Sequence, residues 1–177
     1  MGTPGKGLEH VILGDSAITL VAGETGGLTY RGYDIGELVP RASYEGVVHL
    51  LLWGTPPQAD PPKRLADDLR QRRVVPPELR ARMDAVPPGL PPLEAMRSLL
   101  SLLGGPEWSY PPTDRQGLEL IAKTPTLLAQ YVRQSGGLAP VDDRPELGHE
   151  AHFLYQLTGE VPTPEKARAL EHHGVLL

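Results

Sequence analysis

With no cysteine in its 177 residues, this chain has only its six histidines, its carboxylates and its hydroxyls with which to move protons or hold a metal. Glu146, His149 and His152 stand out by spacing. Three residues apart on one helix, they would share a face, an arrangement that suits zinc. No fourth ligand is evident, and the alternative for His149 is a polar side chain packed at a helix start. His172 and His173 are adjacent. Neighbours on a helix diverge by about 100° around the axis, so the pair is expected at a surface or interface rather than on one ion. Gly2–Gly7 (GTPGKG) has the composition of a phosphate loop. It lacks the G-x-x-x-x-G-K-[ST] spacing and no strand precedes it, so a flexible terminus is expected. No Ser/His/Asp set or nucleophile elbow is visible. No metal site is assigned.

The charge balance narrows the partners. The net charge is -5 and no basic cluster exceeds Gln71-Arg72-Arg73, which argues against nucleic acid. No run of 18 apolar residues is present, so no membrane helix is expected. The first residues, MGTPGKGLEHVILG, lack a signal-peptide apolar region, and Lys6 stands where myristoylation needs Ser or Thr. An apolar fraction of 40% suffices for a core. A soluble cytoplasmic protein of one domain is the expectation.

Positioning these residues falls to helices. Proline reaches 20 residues, with six adjacent pairs: Pro56-Pro57, Pro61-Pro62, Pro76-Pro77, Pro87-Pro88, Pro91-Pro92 and Pro111-Pro112. They could be polyproline ligands, but they separate helix-like segments and are expected to start and stop them. Strand formers at Ala17–Val21 and Leu28–Tyr30 flank the turn cluster Ala22–Gly27, predicting a hairpin. A short helical turn is expected over Tyr33–Val39. Helices follow at Tyr44–Trp53, capped by Ser43, nearly all buried and stopped by Gly54, then at Pro62–Arg73, Pro77–Val86 and Pro92–Leu103. A longer one spans Asp114–Gln134, with Pro125 expected to kink or break it. After a loop from Gly136 to Arg144, a helix is expected over Pro145–Leu157, stopped by Gly159. The last runs from Thr163, an N-cap before Pro164, to Leu177. Its Ala167, Leu170, Gly174 and Leu177 share a face, and no C-cap signal closes it. Either that end docks on something or the chain is one piece of a larger design. The residues alone thus give a mainly α fold of about seven to eight helices with an N-terminal β-hairpin.

The wording of the sequence goes further. GLTYRGYDIGELVPRASYEGVVHLLLWGTPP, Gly27 to Pro57, resembles the N-terminal signature of citrate synthases. There a hairpin leads into Y-R-G-Y-x-I-x-x-L, followed by a helix and L-L-x-G-x-x-P. Tyr30-Arg31-Gly32-Tyr33-Asp34-Ile35 and Leu38 match, as do Ser43, Glu45, Leu51, Leu52, Gly54 and Pro57. GLELIAKTPTLLAQYVR, Gly117 to Arg133, is similar to the family helix carrying I-A-K. Glu146 to Leu177 is similar to its D-x-x-x-N-F-L-Y-M-x-x-G segment and the P-x-x-x-A-R helix after it.

The resemblance implies the first half of a largely helical large domain, without the family's small domain. It implies condensation of acetyl-CoA, or a related acyl-CoA, with oxaloacetate. One aspartate removes a methyl proton and two histidines stabilise the enol and polarise the keto carbonyl. In the family the last helix runs into H-x-[DE]-H-x-x-N, which carries the first of those histidines. This chain is expected to stop just before it, so no catalytic residue is assigned, and His172 and His173 do not take that role. One position carries over: His149, in Gly148-His149-Glu150-Ala151-His152-Phe153-Leu154-Tyr155, matches the family's substrate-binding histidine in S-H-x-x-N-F-L-Y. Gly148 and His152 depart from the Ser and Asn of that motif. The expected partners are oxaloacetate and either further copies of this chain or a complementary C-terminal citrate synthase-like chain. No tightly bound cofactor is expected, and acetyl-CoA enters as cosubstrate only if a partner chain completes the site. The alternative is a non-catalytic relative with a regulatory, keto-acid-binding or assembly role.

Overall fold

The structure, a computed structural model, describes residues 16–22, 26–56 and 61–176. Gly2–Gly7 and Leu177 lie outside the described residues. Three short strands, β1 (Thr19–Ala22), β2 (Gly27–Tyr30) and β3 (Tyr33–Asp34), form an antiparallel sheet in that order, with Thr19 opposite Tyr30 and Tyr30 opposite Tyr33. The expected hairpin is therefore present, and β3 extends it. The β2–β3 turn is two residues, Arg31 (φ 50) and Gly32 (φ 88), and both take the left-handed backbone that a tight hairpin needs. Arg31 is held there by its own side chain. Its Nη2 donates to the carbonyl of Leu51 at 2.8 Å, satisfying the end of the next helix but one. The Y-R-G-Y signature thus folds the sheet onto a helix terminus.

Eight helices follow among the described residues: α1 (Ile35–Arg41), α2 (Tyr44–Trp53), α3 (Pro61–Arg72), α4 (Pro77–Met83), α5 (Pro92–Ser101), α6 (Asp114–Ser135), α7 (His149–Thr158) and α8 (Pro164–Leu176). Local chemistry sets most boundaries. Asp34 and Ser43 cap α1 and α2 by accepting from Gly36 and Gly46. Pro77 and Pro92 open α4 and α5. Thr113 and Gln116 form a reciprocal capping box at α6.

The centre is α6, which packs against α3, α5 and α7. On one side, Leu127 and Tyr131 join Val75, Leu79, Met83, Ala95 and Leu99 of α4, α5 and their connections. On another, Leu118 and Ala122 meet Val48 of α2 and Leu65 and Leu69 of α3. A third cluster joins Tyr30, Val47 and Leu50 to Val175 of α8. Even the buried ammonium of α6 is partnered: Lys123 meets Glu119 at 2.6 Å and donates to the Arg72 carbonyl.

Four expectations need correction. Pro125 does not break α6, which runs without interruption through it; the packing on its sides outweighs the bond that the proline lacks. Helix α7 begins at His149, not Pro145, because residues 145–148 form a turn tied down from elsewhere. Helix α2 is less buried than expected: Trp53 is 41% exposed and donates to Asp114 at 2.8 Å. On α8 the residue driven into the core is Val175, with Leu170 and Gly174 only half-buried. No helix among the described residues is long and apolar enough to cross a membrane.

Leu127 is 0% exposed and Leu93 is 83% exposed. Leu127→Ala is expected to cost about 3 kcal/mol of unfolding free energy, and Leu93→Ala less than about 0.5. Urea titration of both variants checks this.

Candidate functional site

His149 opens α7, and Gly148 before it offers no side chain to cap the helix. The approach to His149 is held instead by two buried arginines. Arg73, just past α3, donates from Nη1 to the carbonyl of Leu147 at 2.9 Å and from Nη2 to that of Arg144 at 2.8 Å. Arg133 of α6 donates to the Ala139 carbonyl through Nε (3.0 Å) and Nη2 (2.7 Å) and to that of Leu157 through Nη1 (3.3 Å). Gly159 closes α7 with φ 83, and a Cβ there would come within 3.2 Å of the Arg133 guanidinium, so glycine is required twice over. The loop from 136 to 148 is therefore clamped near both ends.

Asp143 completes the clamp. It lies 3.6 Å from Arg73 Nε and accepts from His152 Nε2 at 2.8 Å. A carboxylate only accepts, so His152 carries its proton on Nε2. Burial first, then the Arg73 charge, lowers the His152 pKa to about 4 against the opposing pull of Asp143.

His149 itself lies flat on Tyr44, with ring centroids 4.9 Å apart and planes 9° from parallel. Tyr44 opens α2, and its backbone N–H donates to Glu171 of α8 at 3.1 Å. Three helices thus converge on one imidazole. Burial, followed by the Arg73 charge, lowers the His149 pKa to about 4, so at pH 7 the ring is neutral and offers one N–H donor and one acceptor. Burial also pushes the Tyr44 hydroxyl up to about 12, with Glu150 and Glu45 adding to it. His149 borders a cleft of about 440 Å³ between α6, α7 and α8, walled by Ile121, Pro125, Leu128, Phe153 and Leu170.

The candidate zinc face does not form. Glu146 lies in the turn before α7 and pairs with Arg144 at 3.3 Å, while His152 is taken by Asp143. Among the described residues no three His, Asp or Glu side chains are placed to share a metal. His173 is exposed and borders the same cleft from α8, and His172 is half-buried.

The family model described as "Citrate synthase, C-terminal domain" matches residues 7–177. This chain belongs to the citrate synthase family. It is 32% identical to the citrate synthase of Mycolicibacterium smegmatis over 176 residues, covering 97% of this chain and 47% of the relative. It is 30% identical to the 2-methylcitrate synthase of Mycobacterium tuberculosis over 174 residues, covering 97% and 44%. The crystal structure of citrate synthase from Thermotoga maritima superposes with a TM-score of 0.83 at 27% identity, over 97% of this chain and 45% of that one. The chain spans about half the length of the curated relatives it matches.

Within this citrate synthase-family chain, the signature residues Arg31, Gly32 and Gly54 are structural. The supports of His149, namely Tyr44, Arg73, Asp143 and Glu171, escaped the sequence reading. Arg73 carried a faint signal, a charge directly followed by Val74 and Val75. The others act across long stretches of chain, which periodicity does not register.

Each histidine's neutral form contributes stability that is complete above its unfolded pKa, near 6.5, and is lost as pH falls towards about 4. Glu150, raised to about 8, pulls the opposite way as pH rises above the carboxylate range. Ring-proton NMR separates them: neither His149 nor His152 is expected to titrate near 6.5. In Arg73→Met both midpoints are expected to move up, with a loss of about 2–4 kcal/mol of stability as two carbonyls lose their donor.

Proposed function

We propose that this chain acts in the cytoplasm as the N-terminal part of an acyltransferase that condenses an acyl-CoA with oxaloacetate, to citrate or 2-methylcitrate, and that His149 binds the keto acid. One observation carries the reading. The imidazole at the position matching the family's substrate-binding histidine is neutral, stacked on Tyr44 and set at the edge of a cleft. A neutral ring N–H held in one orientation can donate to a keto or carboxylate oxygen with little reorganisation. Relatives named citrate synthase and 2-methylcitrate synthase both match, which leaves the acyl group open between acetyl and a longer chain.

The groups for proton abstraction and enol stabilisation come, in this reading, from a complementary chain, which also completes the acyl-CoA site. The sheet supports association. Ile18, just before β1, and Leu20 and Val21 on it are 46%, 65% and 71% exposed, an apolar patch left to solvent. The departures at Gly148 and His152 favour a second, non-catalytic reading, as a keto-acid-binding or regulatory relative. His152 loses much of that weight, because its link to Asp143 helps to fix α7.

Purified chain with oxaloacetate and acetyl-CoA or propionyl-CoA is expected to release no free CoA above background. Addition of a complementary chain bearing H-x-[DE]-H-x-x-N restores release, and His149→Ala lowers kcat/KM of the pair about 100-fold or more. Robust turnover by the chain alone overturns the reading. Light scattering of the chain by itself is expected to show association, and a monodisperse monomer counts against this apolar patch as an interface.

A further inference from the structure

Glu150, the residue after His149, carries a buried carboxyl oxygen that no donor among the described residues meets. We propose that the cleft between α6, α7 and α8 seats an amphipathic helix of the complementary chain, which sets an arginine or lysine against Glu150. This rests on the reading that a complementary chain exists.

The walls call for an apolar occupant. Ile121, Pro125 and Leu128 of α6, Phe153 of α7 and Leu170 of α8 surround about 440 Å³, room for a few side chains from one helix face. The end near α2 calls for a cation. Glu150 Oε1 is buried with no hydrogen-bond partner, and the charges acting on Glu150 are Glu45 of α2 and Glu171 of α8, both of its own sign. The other titratable groups bordering the cleft are Tyr44, the neutral His149 and His173. From α6 the polar group is the Thr124 hydroxyl, already given to the Leu120 carbonyl at 2.6 Å. Of the arginines at hand, Arg70 acts on Glu45, and Arg73 is spent on the loop carbonyls. Among the described residues no ion pair reaches Glu150. Burial raises its pKa to about 8, so in the isolated chain it holds a proton at neutral pH; an arriving guanidinium takes the proton's place.

A guanidinium on Glu150 leaves the site as neutral overall as the proton it replaces, so docking of the helix adds no repulsion against an oxaloacetate dianion at His149.

A matched pair of fluorescein-labelled, leucine-rich amphipathic 18-residue helical peptides tests this, identical except for a central arginine or its neutral near-isostere citrulline. With the full chain at pH 7.5, fluorescence anisotropy is expected to show the arginine peptide binding about tenfold tighter or more. Hydrogen exchange is expected to slow over residues 121–128 and 149–153. Glu150→Gln, and separately Glu150→Ala, with helical content checked by circular dichroism, are expected to abolish the preference. Equal affinities, no binding of either peptide, protection elsewhere, or protection of the cleft by self-association alone overturns the proposal. Turnover restored by a complementary chain without any arginine preference sinks the docked cation and leaves the enzyme reading standing; preference without turnover does the reverse.

Discussion

A guanidinium does not give up its charge at any pH a protein meets, so Arg73, with 1% of its surface exposed, must be solvated by the protein itself. The carbonyls of Arg144 and Leu147 and the carboxylate of Asp143 supply that solvation, and each belongs to the loop that delivers the chain to α7. Burying one charge therefore fixes where α7 begins. Asp143 passes the constraint on to His152, and α7 starts at His149 rather than four residues earlier. The same positive charge helps to keep both imidazoles neutral. One side chain thus sets the place of the candidate binding group and adds to the burial that keeps it neutral.

The second constraint arrives from the far end of the chain. Glu171 of α8 takes the first N–H of α2 and Val175 anchors α8 under β2, which together hold the Tyr44 ring against His149. Neither contact is between neighbours in sequence, and each depends on helices that α6 and the sheet bring together. His149 is thereby oriented by α2, α7 and α8 at once, the kind of over-determination that a positioned hydrogen-bond donor needs. The apolar cleft it borders is consistent with a site that excludes water once covered.

Boundaries written in local chemistry were legible in the sequence: Ser43, Gly54, Pro77, Pro92 and Gly159 all act as expected. The signature Tyr30-Arg31-Gly32-Tyr33 identified the family, though its work is to close a hairpin and cap α2. What could not be read depends on distance. Pro145 looked like a helix start until Arg73, more than seventy residues away, claimed the carbonyls of the following turn. Glu146, His149 and His152 looked like one face only because that earlier start was assumed. Glu150 carried no signal in the sequence, and its isolation emerges only when Glu45 and Glu171 are brought beside it.

The central claim is that Arg73 and Tyr44 hold His149 as a neutral donor for a keto acid. Histidine-labelled NMR during titration with oxaloacetate tests it most directly, because each imidazole reports separately. The account predicts that the His149 ring resonances move with saturation while the ring stays neutral, and that those of His152, His172 and His173 stay in place. An unmoved His149, or shifts at His172 and His173 instead, would contradict it.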